Sequence, residues 1–176
     1  MFTNKIYTGI GSRETPAAML QLMENIGFTL AEHGWTLRSG HAPGADQAFE
    51  RGCLQSSRGA MEIYLPWSGF EGQQAASGYY VVKNPEAEHV AEQFHPAWHK
   101  CSQGARKLHT RNVFQVSGAD LNLASDVVIC WTRDGKQEGG TGQALRIAKY
   151  LNIPIFDLAV HTGAQLLNFL NYGIQP

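Results

Sequence analysis

Two glycine-rich loops stand at equivalent points of a repeated pattern, and this pattern constrains the fold more than any other feature of the chain. Residues 38–46 and residues 138–143 each follow a short apolar run, and each precede a stretch whose apolar side chains have helical spacing. Strands that alternate with helices predict a parallel sheet with helices on both faces. We therefore predict a doubly wound, mostly parallel α/β fold, in which a ligand binds at the carboxyl ends of the strands.

The apolar runs and their breakers locate the remaining elements. We predict strands over residues 5–9, 35–38, 60–65, 126–131 and 153–156. We predict helices over residues 16–33, 45–53, 85–94 and 141–151, with Thr15 as the cap of the first and residues 104–124 as one interrupted helix. The irregular segment 67–83 is interpreted as a functional or oligomer-contacting loop, whose aromatic side chains either stack on a base or pack inside the protein.

Size, charge and cysteine content limit the class of protein. A chain of 176 residues, 43% of them hydrophobic, predicts a single domain over residues 1–176. Its 14 lysines and arginines against 15 aspartates and glutamates give a net charge of -1, which disfavours sequence-independent binding of nucleic acid. Three cysteines without Cys-x-x-Cys spacing, together with the lack of an apolar leader or membrane span, predict a soluble cytoplasmic protein with no membrane partner.

Both glycine loops have the properties of a phosphate site. Glycine lets the backbone approach an anion, and the first turn of the following helix presents unpaired N–H groups to it. A third loop, residues 9–14, is similar to the dinucleotide fingerprint but carries Glu14 in place of its last glycine, which disfavours ordinary NAD binding. Ser12 and Arg13 suit a phosphate oxygen, whereas Asp46 suits either the cap of its helix or a ribose hydroxyl.

The histidines do not predict a metal site. His95 and His99 are four residues apart, but Pro96 interrupts the helix that would align them, and no carboxylate of the metalloprotease pattern accompanies them. We therefore interpret these histidines as surface residues, and we expect neither a metal nor a cofactor.

Four segments taken together resemble the SLOG superfamily. They are residues 7–13, residues 37–46, Arg111 with Asn112, and residues 139–142, and the likeness spans nearly all of residues 5–157. That superfamily joins the DNA-processing protein A family, the lonely-guy phosphoribohydrolases and small Rossmann-like proteins, many of them phage-encoded. The chain is most similar to the last group. The resemblance implies a Rossmann-like sheet, a homodimer, and a nucleotide-type ligand over the two glycine loops.

The resemblance also assigns roles to particular residues. Arg111 lies where lonely-guy enzymes carry a catalytic arginine, but Arg146 stands where they carry a glutamate that assists N-glycosidic cleavage. Activation of water would then fall to Glu138, Asp46 or Glu50. The predicted ligand contacts are Gly9, Gly11, Ser12, Arg13, Ser39, Gly40, Gly44, Asp46, Asn112, Gly139, Gly140, Thr141 and Gly142.

Three functions stay open at this point. The first is binding of a nucleotide or nucleotide-derived ligand, with hydrolysis of the N-glycosidic bond of a nucleoside monophosphate. The second is non-catalytic sensing or sequestration of a nucleotide signal such as an ADP-ribose derivative, which the loss of the glutamate favours. The third is single-stranded DNA binding like that of DNA-processing protein A, which the balanced charge disfavours.

Overall fold

The computed structural model describes residue 2, residues 4–136 and residues 138–173, and this part of the chain alternates between strands and helices. The strands are β1 (Ile6–Gly11), β2 (Thr36–Ser39), β3 (Ala60–Tyr64), β4 (Tyr79–Tyr80), β5 (Val127–Trp131) and β6 (Ile155–Asp157). The α-helices are α1 (Ala17–Glu32), α2 (Ala45–Gln55), α3 (Pro85–Gln93), α4 (Gln103–Ser117), α5 (Gly139–Tyr150) and α6 (Gly163–Tyr172).

The six strands form one sheet in the order β4-β3-β2-β1-β5-β6, and neighbouring strands pair in parallel. The predicted doubly wound α/β fold is therefore confirmed. The strand β1 lies between β2 and β5, and the chain changes its direction of progress across the sheet at this point. In parallel α/β sheets such a change leaves a crevice at the carboxyl ends of the two strands, here next to the paired residues Gly11 and Trp131.

Residues of β5 alternate between two hydrophobic clusters on opposite faces of the sheet. Val127 and Ile129 pack into the cluster that includes residues of α1, α2 and α6. Val128 and Cys130 pack into the cluster that includes residues of α3, α4 and α5. All four side chains are buried, because a strand covered by helices on both faces has no side open to water.

The helices α1 and α2 approach each other closely at two glycines. A Cβ atom at Gly27 would lie 2.5 Å from the Phe49 carbonyl oxygen, and one at Gly52 would overlap the Glu24 carbonyl oxygen. Since the atoms met are backbone oxygens, a side chain at either position requires the two helices to move apart. The close spacing of α1 and α2 therefore depends on glycine at both positions.

Two local predictions are wrong. The single helix predicted over residues 104–124 ends at Ser117, because Gly118 adopts a φ of 77° that leaves the helical region. Thr15 does not cap the first helix: its hydroxyl donates a hydrogen bond to the Ser12 carbonyl oxygen at 2.6 Å, and the cap residue is Pro16. A Thr-Pro pair is therefore compatible with a helix start without supplying the capping bond.

One strand and one α-helix lie where no such element was predicted. The short strand β4 falls within segment 67–83 and extends the sheet beside β3. The helix α6 begins with a capping box, in which Thr162 and Gln165 each accept a hydrogen bond from the backbone of the other. That box is readable from the Thr-x-x-Gln spacing alone. Within the described residues, no helix combines the length and the apolar character needed to cross a bilayer.

Candidate ligand-binding site

A cavity of about 820 Å³ opens in the crevice between β1 and β5. Its floor is formed where these strands end, by Gly11 and Ser12 on one side and by Trp131 and Thr132 on the other. The helix α4 and the start of α5 complete its walls. Pockets of about 300–1,000 Å³ are typical for small molecules and cofactors, so this cavity has the size of a small-ligand site.

The amino terminus of α5 forms one wall of the cavity through Gly139, Gly140 and Thr141. No acidic residue lies in the first turn of α5, and the side chain of its cap residue, Glu138, makes no capping hydrogen bond. The first N–H groups of a helix have no partner within the helix and carry a partial positive charge. This wall therefore presents donors suited to an anion. The second glycine loop is itself the first turn of the helix, which starts two residues earlier than predicted.

The orientation of this turn is held by a buried amide network. Asn112 on α4 donates from Nδ2 to the Gly140 carbonyl oxygen at 3.2 Å and to Gln143 Oε1 at 3.1 Å. Gln143 is fully buried and donates in turn to the Ala91 carbonyl oxygen at 2.9 Å. Asn112 thus lines the cavity, as predicted, and it also fixes the turn that faces the cavity.

Arg111 and Asp46 form a buried ion pair in the cavity wall. Arg111 Nη1 lies 3.8 Å from Asp46 Oδ2 and donates a hydrogen bond to the Gly40 carbonyl oxygen. Asp46 also accepts from Gln115 Nε2 at 3.3 Å. Burial raises the pKa of Asp46 more than the Arg111 charge lowers it, and burial likewise lowers the pKa of Arg111. Asp46 and Arg111 Nη1 have protein partners, whereas Arg111 Nε is buried without a hydrogen-bond partner among the described residues. The pair therefore has a structural role in the cavity wall.

The other charged groups of the cavity lie nearer its mouth. Arg133 pairs with Glu14, and both side chains are more than half exposed. Within the described residues, no carboxylate lies in ion-pair distance of Arg13 or Lys136, which also line the cavity. Two cations are therefore available to a ligand without breaking an internal ion pair.

The first glycine loop supports the cavity from behind and contributes little to its wall. The Ser39 hydroxyl donates to the Gly9 carbonyl oxygen at 2.6 Å, and a Cβ at Gly9 would lie 2.7 Å from the Phe49 ring. Gly44 has a φ of 93° and packs against the backbone that follows β1. Asp46 occupies the first turn of α2, so the helix terminus that was expected to meet a phosphate already holds a carboxylate.

The predicted site residues accordingly divide into two groups. Those in the cavity wall are Gly11, Ser12, Arg13, Asp46, Arg111, Asn112, Glu138, Gly139, Gly140 and Thr141. Those outside the wall are Gly9, Ser39, Gly40, Gly44 and Gly142. Sequence reasoning missed Thr132, Arg133 and Lys136, although residues that directly follow a buried parallel strand lie at the edge where ligands bind.

Two residues raised by the catalytic hypothesis lie outside the cavity wall. Glu50 accepts hydrogen bonds from His41 Nδ1 at 2.7 Å and from the Tyr79 hydroxyl at 2.5 Å. Arg146 donates from Nε to the Phe94 carbonyl oxygen at 2.9 Å. Of the three carboxylates considered for activating water, only Glu138 is an exposed member of the wall.

The three cysteines differ sharply in accessibility, and we expect one of them to react with a thiol reagent. Burial raises the pKa of Cys53 to about 11 and also raises that of Cys130, whereas Cys101 is only half-buried. Because the thiolate is the reactive form, an aromatic disulfide reagent should label one equivalent rapidly in native protein kept in a chelator, and three in denaturant. Cys101→Ser should remove the rapid phase. Rapid labelling of two or more thiols would contradict this prediction.

Comparison with known proteins finds the fold but no family. No family model matches the chain, and no curated protein matches it. Among solved structures it is similar to the Moco carrier protein of Chlamydomonas rheinhardtii, with a TM-score of 0.50 and 16% sequence identity, over 97% of this chain and 86% of that one. A likeness at this identity concerns the backbone, and the chain has a Rossmann-like α/β fold.

Proposed function

We propose that the chain binds a nucleotide or nucleotide-derived ligand in the cavity between β1 and β5. The observation that carries this proposal is the uncapped first turn of α5, whose three residues Gly139, Gly140 and Thr141 form a wall of a cavity of about 820 Å³. Phosphate is an anion that such a terminus is suited to bind, because several backbone N–H groups point at its oxygens. The phosphate of the ligand is therefore assigned to this turn.

The remaining lining residues suit the rest of such a ligand. Arg13 and Lys136 supply positive charge without an internal ion pair among the described residues. Ile10, Leu108 and Trp131 supply apolar surface on which a base can pack. The resemblance to SLOG proteins supports a nucleotide-type ligand, and the name of the structural neighbour, a Moco carrier protein, supports a small ligand on a fold of this kind.

The choice between the two glycine loops rests on charge. The first turn of α2 carries Asp46, and an anion placed there would face that carboxylate. The first turn of α5 carries no acidic residue, and the neighbouring carboxylate of Glu138 is exposed and makes no capping hydrogen bond, whereas Asp46 is buried. The proposal therefore assigns the phosphate to the second loop alone and leaves the first loop as support for the Arg111–Asp46 pair.

Hydrolysis of an N-glycosidic bond is the second candidate, and the position of Glu138 is the observation that favours it. Glu138 is exposed, lines the cavity and forms no capping bond, so its carboxylate is available to act on water or on a developing positive charge. In contrast, Asp46 is held by Arg111 and Gln115. If turnover occurs, Glu138→Gln should abolish release of free base while nucleotide binding persists.

Replacing Thr141 tests the assignment of the phosphate. Thr141→Glu places a carboxylate in the first turn of α5, where it should exclude an anionic ligand and weaken binding by more than tenfold. The same charge should stabilise the fold by about 0.3–1 kcal/mol through the helix dipole. Weaker binding together with higher stability would show that the variant has lost the binding site and not the fold. The measurement is calorimetric titration with AMP, ADP and ADP-ribose beside thermal unfolding.

The control is Thr141→Gln, which has nearly the same size as the glutamate variant but no charge. It should keep most of the affinity. The nucleoside adenosine, which lacks a phosphate, should bind far more weakly than AMP to the wild-type chain. Equal binding of AMP by the glutamate and glutamine variants would contradict the assignment, and binding of adenosine as tightly as AMP would contradict a phosphate site.

A further inference from the structure

Three potential metal ligands meet beside the cavity, and they come from three successive segments of the chain. His95 lies after α3, Cys101 precedes α4, and His109 lies on α4. One ligand atom from each of the three lies within 4.8 Å of the other two. The two imidazole rings are 4.2 Å apart between their centroids. The spacing in the sequence pairs His95 with His99, but the residues that accompany His95 in space are Cys101 and His109.

The distances within this cluster agree with tetrahedral coordination. The Cys101 sulfur lies 3.7 Å from Nδ1 and 3.8 Å from Nε2 of His95. Zinc with bonds of about 2.0–2.1 Å to nitrogen and about 2.3 Å to sulfur holds these two atoms about 3.6 Å apart at a tetrahedral angle. His95 Nδ1 accepts a hydrogen bond from the Ala97 N–H at 3.2 Å, so Nε2 is the His95 atom available to an ion. The distance from Nε2 to the sulfur is therefore close to that between two ligands of one zinc ion.

The surroundings of the cluster orient its members. Gln143 Oε1 lies 2.8 Å from His109 Nδ1, which assigns the proton to Nδ1 and leaves Nε2 free to bind an ion. Outer hydrogen bonds of this kind fix the ring orientation of metal-binding histidines in proteins. The buried indole of Trp98 packs at 6.1 Å from the His95 ring and 6.4 Å from the His109 ring. The cluster thus has an ordered and partly dry environment.

We propose that His95, Cys101 and His109 bind one zinc ion. A thiolate with two imidazoles is a donor set that zinc prefers, and three protein ligands leave a fourth position for water or another ligand. His109 also lines the cavity, so the ion lies at the edge of the ligand site. The zinc ligands are distinct from the residues assigned to the phosphate, although His109 lines the same cavity and contacts Gln143, which also accepts a hydrogen bond from Asn112.

Titration of the reduced 176-residue chain with cobalt tests the proposal. One cobalt ion should bind per chain. Its spectrum should show the intense visible bands of tetrahedral cobalt and a near-ultraviolet band from the bond to the thiolate. Zinc should displace it. Cys101→Ser should remove the thiolate band and weaken zinc binding by more than the ~10–100-fold that loss of an outer partner costs. His109→Gln should weaken binding to a similar degree.

The matched control is His99→Gln, because His99 is exposed and lies between the proposed ligands in the sequence. It should bind cobalt with the wild-type spectrum and affinity. Thermal unfolding in chelator should show that Cys101→Ser folds like the wild-type chain, so a lost band reports a lost ligand. A weak octahedral spectrum with no thiolate band, or unchanged binding by Cys101→Ser, would overturn the proposal.

Discussion

Arg111→Met is expected to lower the free energy of unfolding by about 3–5 kcal/mol, the range measured when one partner of a buried ion pair is removed. The variant leaves Asp46 buried without its counter-charge, and it leaves the Gly40 carbonyl oxygen without its donor. Methionine fills much of the arginine volume, so the loss reflects charge and hydrogen bonding more than a cavity. Urea unfolding at pH 7 measures the effect.

The pKa of Asp46 sets the sign of the accompanying pH dependence. Burial already raises that pKa in the wild-type chain, and the Arg111 charge opposes the rise. Without Arg111 the pKa of Asp46 rises further above its unfolded value of about 3.9, so the folded state binds a proton more readily. The destabilisation caused by Arg111→Met should therefore be largest at neutral pH, where Asp46 is ionised. It should become smaller as the pH falls toward the pKa of Asp46 in the unfolded chain, because protonation removes the unpaired charge.

The double variant Asp46→Asn, Arg111→Met is the control for this pair. Removing both charges should recover a substantial part of the stability lost by Arg111→Met, because no charge is then left buried alone. Strict additivity of the two single changes would show that the charges do not interact. The same experiment bears on function, since a loss of nucleotide binding by Arg111→Met alone cannot be assigned to ligand contact until its effect on folding is known.

Gly52→Ala is expected to destabilise the protein by about 1–3 kcal/mol, the cost of forcing extra volume into a packed interior. Alanine in a helix is normally more favourable than glycine by roughly 0.5–1 kcal/mol, so packing here reverses the usual sign. The reason is that the new Cβ would overlap the Glu24 carbonyl oxygen, which belongs to the backbone of α1 and cannot rotate away. Chemical denaturation measures the change.

Gly104→Ala supplies the matched control because it makes the same substitution in a helix with space around it. The Ser102 hydroxyl, at 4.0 Å, is the atom that its Cβ would meet. This variant should be as stable as the wild-type chain or slightly more stable. Equal effects at Gly52 and Gly104 would mean that α1 and α2 do not depend on the close contact at Gly52.

The sheet was predictable because its signals are local. The run of residues in β5 is apolar throughout, and this pattern by itself indicates a strand covered on both faces. The glycines of residues 139–142 likewise mark the place where the next helix begins. The end of α4 was misjudged because apolar side chains such as Leu121 continue past Gly118, whose backbone conformation stops the helix.

The candidate site was predictable only in part, because its members are brought together by tertiary contacts. Ser12, Arg13 and Thr141 each follow a predicted strand or begin a predicted helix, and all three line the cavity. The sequence suggests Asp46 as a ligand contact too, yet its carboxylate forms an ion pair with Arg111, which lies 65 residues later in the chain. Local pattern cannot reveal which polar group a distant side chain has already satisfied.

The sequence by itself determined that strands alternate with helices and that two glycine loops lie at the same edge of a parallel sheet. These properties follow from hydrophobic periodicity and from the conformational freedom of glycine, which act over a few residues. Only the tertiary structure decided which loop faces the cavity and which histidine accompanies His95. The physical reason is that neighbours in space decide whether a charge is buried and whether a donor has a partner. Asp46 lies in the first turn of α2, whereas the first turn of α5 carries no acidic residue.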